Sequence, residues 1–129
     1  MTYVNELMSK DVVTINEDST AYDVAKIMDE KNIGTIVIVK NEEPIGIVTE
    51  RDLVKRICSK DLKSSSVKVK DIMSSPLITV QPNAPIGLAA SLMVEHNIRR
   101  LPVIKNNKLV GIITSRNIIR ELEGWIEAP

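Results

Sequence analysis

Two seven-residue stretches, Gly46-Ile-Val-Thr-Glu-Arg-Asp52 and Gly111-Ile-Ile-Thr-Ser-Arg-Asn117, hold glycine, threonine and arginine at matched positions and differ in the last residue. Each falls where an apolar run gives way to a helical pattern, so its first-turn amides are unpaired and carry the positive end of the helix dipole. Such an end favours an anion. Thr49 and Thr114 are placed to cap the helix and to offer a hydroxyl to a phosphate oxygen, and Arg51 and Arg116 to add charge-assisted bonds. Asp52 presents two acceptor oxygens, which suit the two adjacent hydroxyls of a ribose; Asn117 has one acceptor and a donor amide. Gly46 and Gly111 permit close approach of a ligand or of neighbouring backbone. A plainer reading uses the same residues, with Thr49 as an ordinary N-cap and Asp52 as a dipole-friendly acid. Both stay open at this point.

The elements that position these residues are written twice. Met8 matches Met73, Thr14 matches Thr79, Met28 matches Met93 and Gly46 matches Gly111, each pair 65 positions apart. In each copy a short β-branched run comes first, Val12 to Ile15 or Leu77 to Val80, followed by cap-like residues at Asp18-Ser19 or Asn83, with Pro85 suited to a first helical turn. Ala21, Val24, Ile27 and Met28 then share one helix face, as do Ile86, Ala89, Ala90 and Met93. Two apolar runs follow as a hairpin, Thr35 to Val39 with Ile45 to Thr49 across Asn41-Glu-Glu-Pro44, and Leu101 to Ile104 with Leu109 to Thr114 across Lys105 to Lys108. A tight turn at Asn106-Asn107 pairs Ile104 with Leu109 and, by the same count, sets Arg99 opposite Thr114 and Gly34 opposite Thr49. A last helix spans Arg51 to Ile57 or Arg116 to Leu122. The order β-α-β-β-α, doubled, predicts an α+β fold of two pseudo-two-fold repeats, residues 1–60 and 69–124, with a polar linker at 61–68 and a tail at 125–129.

Bulk properties narrow the function. Seventeen basic residues balance seventeen acidic ones, so no global positive field draws the chain onto nucleic acid. The only aromatic residues are Tyr3, Tyr22 and Trp125, too few for a base-stacking platform. One cysteine, Cys58, makes no intramolecular disulfide. No run approaches the roughly 20 apolar residues of a membrane span, and no signal-like segment opens the chain, so the expected location is cytoplasmic. His96 lacks neighbours at ligand spacing, and Cys58 reads as a packing residue; no metal and no cofactor is expected. No nucleophile-base-acid set is visible, which predicts a protein that is not an enzyme.

The duplication, the motif and Asn97-Ile-Arg-Arg-Leu-Pro-Val103 together resemble a pair of cystathionine β-synthase (CBS) domains over about Leu7 to Leu122. The resemblance implies a Bateman module whose clefts bind adenosyl ligands such as AMP, ADP, ATP or S-adenosylmethionine and which senses without catalysing. It implies phosphate and ribose roles for Thr49 and Asp52 in one cleft and for Thr114 and Asn117 in the other. It places Ile78, Thr79 and Pro102 around adenine in the Asp52 cleft and Val13, Thr14 and Ile36 in the second, with the hairpin residues Ile47 and Ile112 alongside the glycines. Arg99 and Arg100 resemble basic residues that contact phosphate, where the first repeat has Gly34 and Thr35.

The resulting expectation is a regulatory adenosyl-binding module that signals to a partner protein. The alternative is a structural homodimerisation or docking domain whose clefts are vestigial. Leu53, Val54, Ile57, Ile118, Ile119 and Leu122 are the apolar helix residues expected to form a homodimer. Trp125 is expected either to tuck against the N-terminal segment or to meet a partner.

Overall fold

Asn41 and Glu42 have φ values of 50° and 68°, and Asn106 and Asn107 have 52° and 64°. These are the left-handed pairs that a two-residue hairpin turn requires. They join β2 (Thr35–Lys40) to β3 (Glu43–Thr49) and β4 (Arg100–Lys105) to β5 (Lys108–Thr114). The first connection is therefore shorter than the expected Asn41 to Pro44, because Pro44 and Glu43 already pair with Val39 and Lys40. The computed structural model describes residues 1–126.

Each hairpin carries a bulge that moves the register by one. Ile104 faces Leu109 as the spacing predicts, but Val103 faces Gly111, leaving Val110 without a partner. Ile45 is the extra residue in the other hairpin, between pairs Val39–Pro44 and Ile38–Gly46. The bulge breaks the strict alternation of a strand, so that Val110 and Ile113 both reach one core, and Ile45 and Val48 the other. In consequence Arg100, not Arg99, lies opposite Thr114, and Thr35, not Gly34, lies opposite Thr49.

Four further helices frame the hairpins: α2 (Ala21–Lys31), α3 (Glu50–Arg56), α4 (Ile86–His96) and α5 (Ser115–Ile126), with a single turn, α1 (Val4–Leu7), at the start. Thr20, rather than Asp18 or Ser19, caps α2, in a reciprocal box with Asp23 at 2.9 and 3.1 Å. Its counterpart is Pro85, which precedes α4 without a side-chain bond and displaces the expected Asn83 cap. Asn32 and Asn97, in the left-handed region, end α2 and α4. Ala21, Val24 and Met28 are buried on α2, as are Ala89 and Met93 on α4. The helix α5 runs through 126, and the Trp125 side chain and residues 127–129, on which the tail expectation falls, lie outside the described residues.

The chain forms two compact units, one from Val13–Leu77 and the other from Met1–Val12 with the chain from Ile78 onward. The leading segment of each sequence repeat thus folds with the body of the other. In the first of these units Val69 donates its N–H to Ser19 O at 2.8 Å and Ser74 pairs with Ile47; in the second, Val4 donates to Ala84 O at 2.9 Å and Ser9 pairs with Ile112. Val69 and Val4 are fully buried, each stabilising its unit by about 1.5–3 kcal/mol through the apolar area removed from water.

The units differ at their first strand. β1 (Thr14–Asn16) runs parallel to β2 and extends that sheet to the order β1-β2-β3, held in part by Val37 N–H donating to Val13 O at 3.1 Å. The expected strand Leu77 to Val80 is reduced to a single bridge from Val80 to Val103. The residue matching Val37 is Pro102, which has no N–H to donate, so the corresponding bond to Ile78 is impossible.

Candidate functional site

The two glycine-to-helix segments are strand-to-helix junctions as expected, one in each unit. The space in front of each glycine is filled by the chain itself. A Cβ on Gly46 would lie 2.5 Å from Met73 Sδ and 3.0 Å from Ser74 O, and one on Gly111 2.7 Å from Met8 Sδ and 2.8 Å from Ser9 O. Of the two approaches that glycine permits, neighbouring backbone is therefore the one made here, by the segments that pair with Ile47 and Ile112.

At the Thr49 junction the Thr49 N–H donates to Asp52 Oδ2 at 2.8 Å, and the Thr49 hydroxyl donates to the same oxygen at 3.2 Å. Asp52 Oδ1 is left with Arg56 Nε at 3.9 Å, beyond hydrogen-bond reach. Arg56 itself reaches away, donating to Ile72 O at 3.1 Å. The Glu50 carboxylate lies over Gly34, where a Cβ would meet Oε1 at 2.5 Å. Thr35, opposite Thr49, has a buried hydroxyl oxygen without a partner among the described residues.

At the Thr114 junction the Thr114 N–H donates to Asn117 Oδ1 at 2.9 Å, and Asn117 N–H donates to the Thr114 hydroxyl oxygen at 3.1 Å. The cap needs one side-chain acceptor, which an amide supplies as well as a carboxylate. Arg100 lies opposite Thr114, and Ser115 N–H donates to Arg99 O at 2.9 Å, which fixes both arginines at the start of α5. Arg51 and Arg116 are exposed on the first turns of their helices.

The remaining expected residues divide between the units. Val13, Thr14, Gly46, Ile47, Thr49, Arg51 and Asp52 belong to one, and Ile78, Thr79, Arg99, Arg100, Pro102, Gly111, Ile112, Thr114, Arg116 and Asn117 to the other. Val13 and Ile78 pack on their units' cores. Ile36 is wholly buried in its unit's core, and by the offset of 65 positions the residue matching Pro102 is Val37, which is wholly buried as well. Glu50, Thr35 and Arg56 were not singled out from sequence. The glycine inside each hairpin strand, a common sign of a bulge, was the signal that would have brought Thr35 opposite Thr49.

Among the helix residues expected to be apolar and outward, Ile57 is buried and Leu53 and Ile118 pack on the cores. Val54, Ile119 and Leu122 are exposed. No helix among the described residues is long and apolar enough to cross a membrane, and no group of three His, Cys, Asp or Glu among them is arranged to hold a metal.

Residues 4–59 and 69–124 each match the CBS domain family. The chain is similar to the protein MK0525 of Methanopyrus kandleri, 44% identical over 119 residues, which cover 91% of this chain and 61% of that protein. It thus spans about three-fifths of that relative's length. Among solved structures it is similar to a protein with CBS domains from Burkholderia ambifaria MC40-6, with a TM-score of 0.90, 28% identity and coverage of 99% and 98% of the two chains. It is also similar to the CBS domain pair of protein MJ0100 in complex with 5′-methylthioadenosine and S-adenosyl-L-methionine, with a TM-score of 0.87, 29% identity and coverage of 97% and 98%. With two tandem matches over most of its length and solved CBS pairs superimposing on nearly all of it, the chain belongs to the CBS domain family.

Proposed function

We propose that this CBS domain pair is a regulatory module that binds an adenosyl ligand at its junctions and passes the binding event to a partner protein, without catalysing a reaction. The observation that carries the reading is the division of labour within Asp52. One oxygen closes the helix cap, and the other is left to accept from a ribose hydroxyl. The half-buried setting, with the Asp52 side chain 14% exposed, strengthens such a bond over one made in open water. The adenosyl ligands of the MJ0100 pair, a chain 29% identical, support the ligand class. A reader of adenine nucleotides fits the cytoplasm.

A thermal-shift panel of AMP, ADP, ATP, NADH, S-adenosylmethionine and guanine nucleotides tests the proposal. Binding to the native state raises apparent stability by mass action, and the expected outcome is stabilisation by adenosyl ligands alone. A flat panel would leave the structural reading, a homodimerisation domain, in its place. Val54 on α3 and Ile119 and Leu122 on α5 favour dimerisation under either reading, since each exposes half or more of its surface. Sedimentation at micromolar concentration is expected to give a dimer mass.

A further inference from the structure

The replacement of Asp52 by Asn117 leaves the cap intact and reverses the chemistry of the atom left over. A backbone N–H donates only, so the atom facing Thr114 N–H is the amide oxygen, and the outward atom of Asn117 is a donor nitrogen. The threonine hydroxyls reverse in the same sense. Thr49 commits its proton to Asp52, whereas Thr114 accepts from Asn117 N–H and keeps its own proton for an outside acceptor. Arg100, directly opposite Thr114 in the ladder, adds a guanidinium on the same face of the hairpin. Arg99 precedes Arg100 in the chain, and Arg116 lies between Thr114 and Asn117 on the first turn of α5. Among the described residues none of these three arginines has a carboxylate within the 4.0 Å of an ion pair. Residues 99–100 and 114–117 thus carry three arginines and no acid, while the matched residues 34–35 and 49–52 carry one arginine, Arg51, and the carboxylates of Glu50 and Asp52.

We propose, resting on the adenosyl reading above, that the Thr114 junction selects adenosyl ligands bearing two or more phosphates and disfavours cationic ones such as S-adenosylmethionine. Three guanidinium groups outnumber the charge of a monophosphate and match that of a diphosphate, and their planar forks suit phosphate oxygens. A sulfonium and an ammonium meet like charge there.

Calorimetric titration of the full chain with adenosine, AMP, ADP, S-adenosylmethionine and inorganic tripolyphosphate, in magnesium-free buffer, tests this. ADP is expected to bind about tenfold tighter than AMP, the scale of one charge-assisted bond. That ratio is expected to shrink as salt rises from about 50 to about 300 mM. Arg100→Gln is expected to bring the ratio close to one. Asn117→Asp is expected to weaken ADP and tripolyphosphate at least tenfold without loss of thermal stability, since Asp52 forms the same cap in the other unit. An ADP-to-AMP ratio near one in the wild type, or a ratio that survives Arg100→Gln, overturns the inference even where adenosine and S-adenosylmethionine bind. If adenosine, AMP, ADP and S-adenosylmethionine all fail to bind, the adenosyl reading itself falls.

Discussion

At Thr49 the cap is a carboxylate that gathers both the N–H and the hydroxyl proton of one threonine, whereas at Thr114 it is an amide that exchanges one bond in each direction with its threonine. The pairing pattern of the two junctions is the same, from the bulge at Ile45 or Val110, one residue before Gly46 or Gly111, to the helix that follows. Folding asks only for a side-chain acceptor at the third helical position, and both residues provide one. The remaining side-chain atom is not needed for the fold, and there the two copies part. A duplicated unit can thus keep its architecture while its junctions acquire opposite polarity, provided that each substitution preserves the bond the backbone requires.

The largest expected effect tests whether the two crossings over glycine are equally tight. At Gly111 an added Cβ meets a carbonyl oxygen at 2.8 Å, and at Gly46 the corresponding distance is 3.0 Å, with a flexible methionine sulfur near both. A thioether can swing aside; a paired backbone carbonyl cannot do so without losing its ladder bond. Gly111→Ala is expected to destabilise by about 2–3 kcal/mol and Gly46→Ala by about 1–2 kcal/mol, within the usual range for overpacking. Urea unfolding of both variants gives the order, and equal losses would show that the methionine sets the cost in each.

Next in size is Asp52. Removing its carboxylate takes away the Thr49 cap together with the proposed ribose acceptor, so Asp52→Ala is expected to lose about 1 kcal/mol of stability and at least about tenfold in adenosyl affinity. Asp52→Asn separates the two, because Asn117 demonstrates that an amide closes this cap. Its stability is expected to match the wild type while adenosyl affinity still falls. Wild-type affinity in both variants would assign Asp52 to capping alone.

The ties between the last helix of each unit and its leading segment form a weaker contrast. Arg56 donates to the Ile72 carbonyl at 3.1 Å, whereas its counterpart Glu121 accepts from the Thr2 hydroxyl at 3.3 Å. A charged donor on a part-buried carbonyl is the stronger of the two. Arg56→Ala is expected to cost about 1 kcal/mol and Glu121→Ala less than about 0.5 kcal/mol in the same unfolding measurement.

The repeat, the element order and the junction motif were all legible in the sequence, because apolar periodicity and turn residues act locally. What was not legible came from pairing across distance. The bulges at Ile45 and Val110 each add one residue to a strand without altering its composition, and they carried Arg100 and Thr35 into the places assigned to Arg99 and Gly34. The loss of the first strand before Pro102 followed from one missing N–H on its neighbour, visible only once the two segments are known to be adjacent. The folding of each leading segment with the other repeat's body left no local trace, since Val4 and Val69 are apolar under any assignment.

The smallest expected effect lies in the turns. Both central residues of each hairpin turn are left-handed, but the second is Glu42 in one hairpin and Asn107 in the other, at φ 68° and 64°. Asparagine tolerates this region because its short amide bonds to nearby backbone, and a longer side chain gains no such compensation. The Asn41-Glu42 turn is therefore the more strained of two otherwise matching turns. Glu42→Asn is expected to stabilise the chain by about 0.5 kcal/mol, raising the thermal midpoint by about 2 °C, and Asn107→Glu to lower it by a similar amount. Because Glu42 is exposed and bonds to nothing among the described residues, no lost contact competes with the relief of strain. A midpoint that does not move in either variant would mean that the tight pairing of the flanking strands, and not the turn residue, fixes the hairpin.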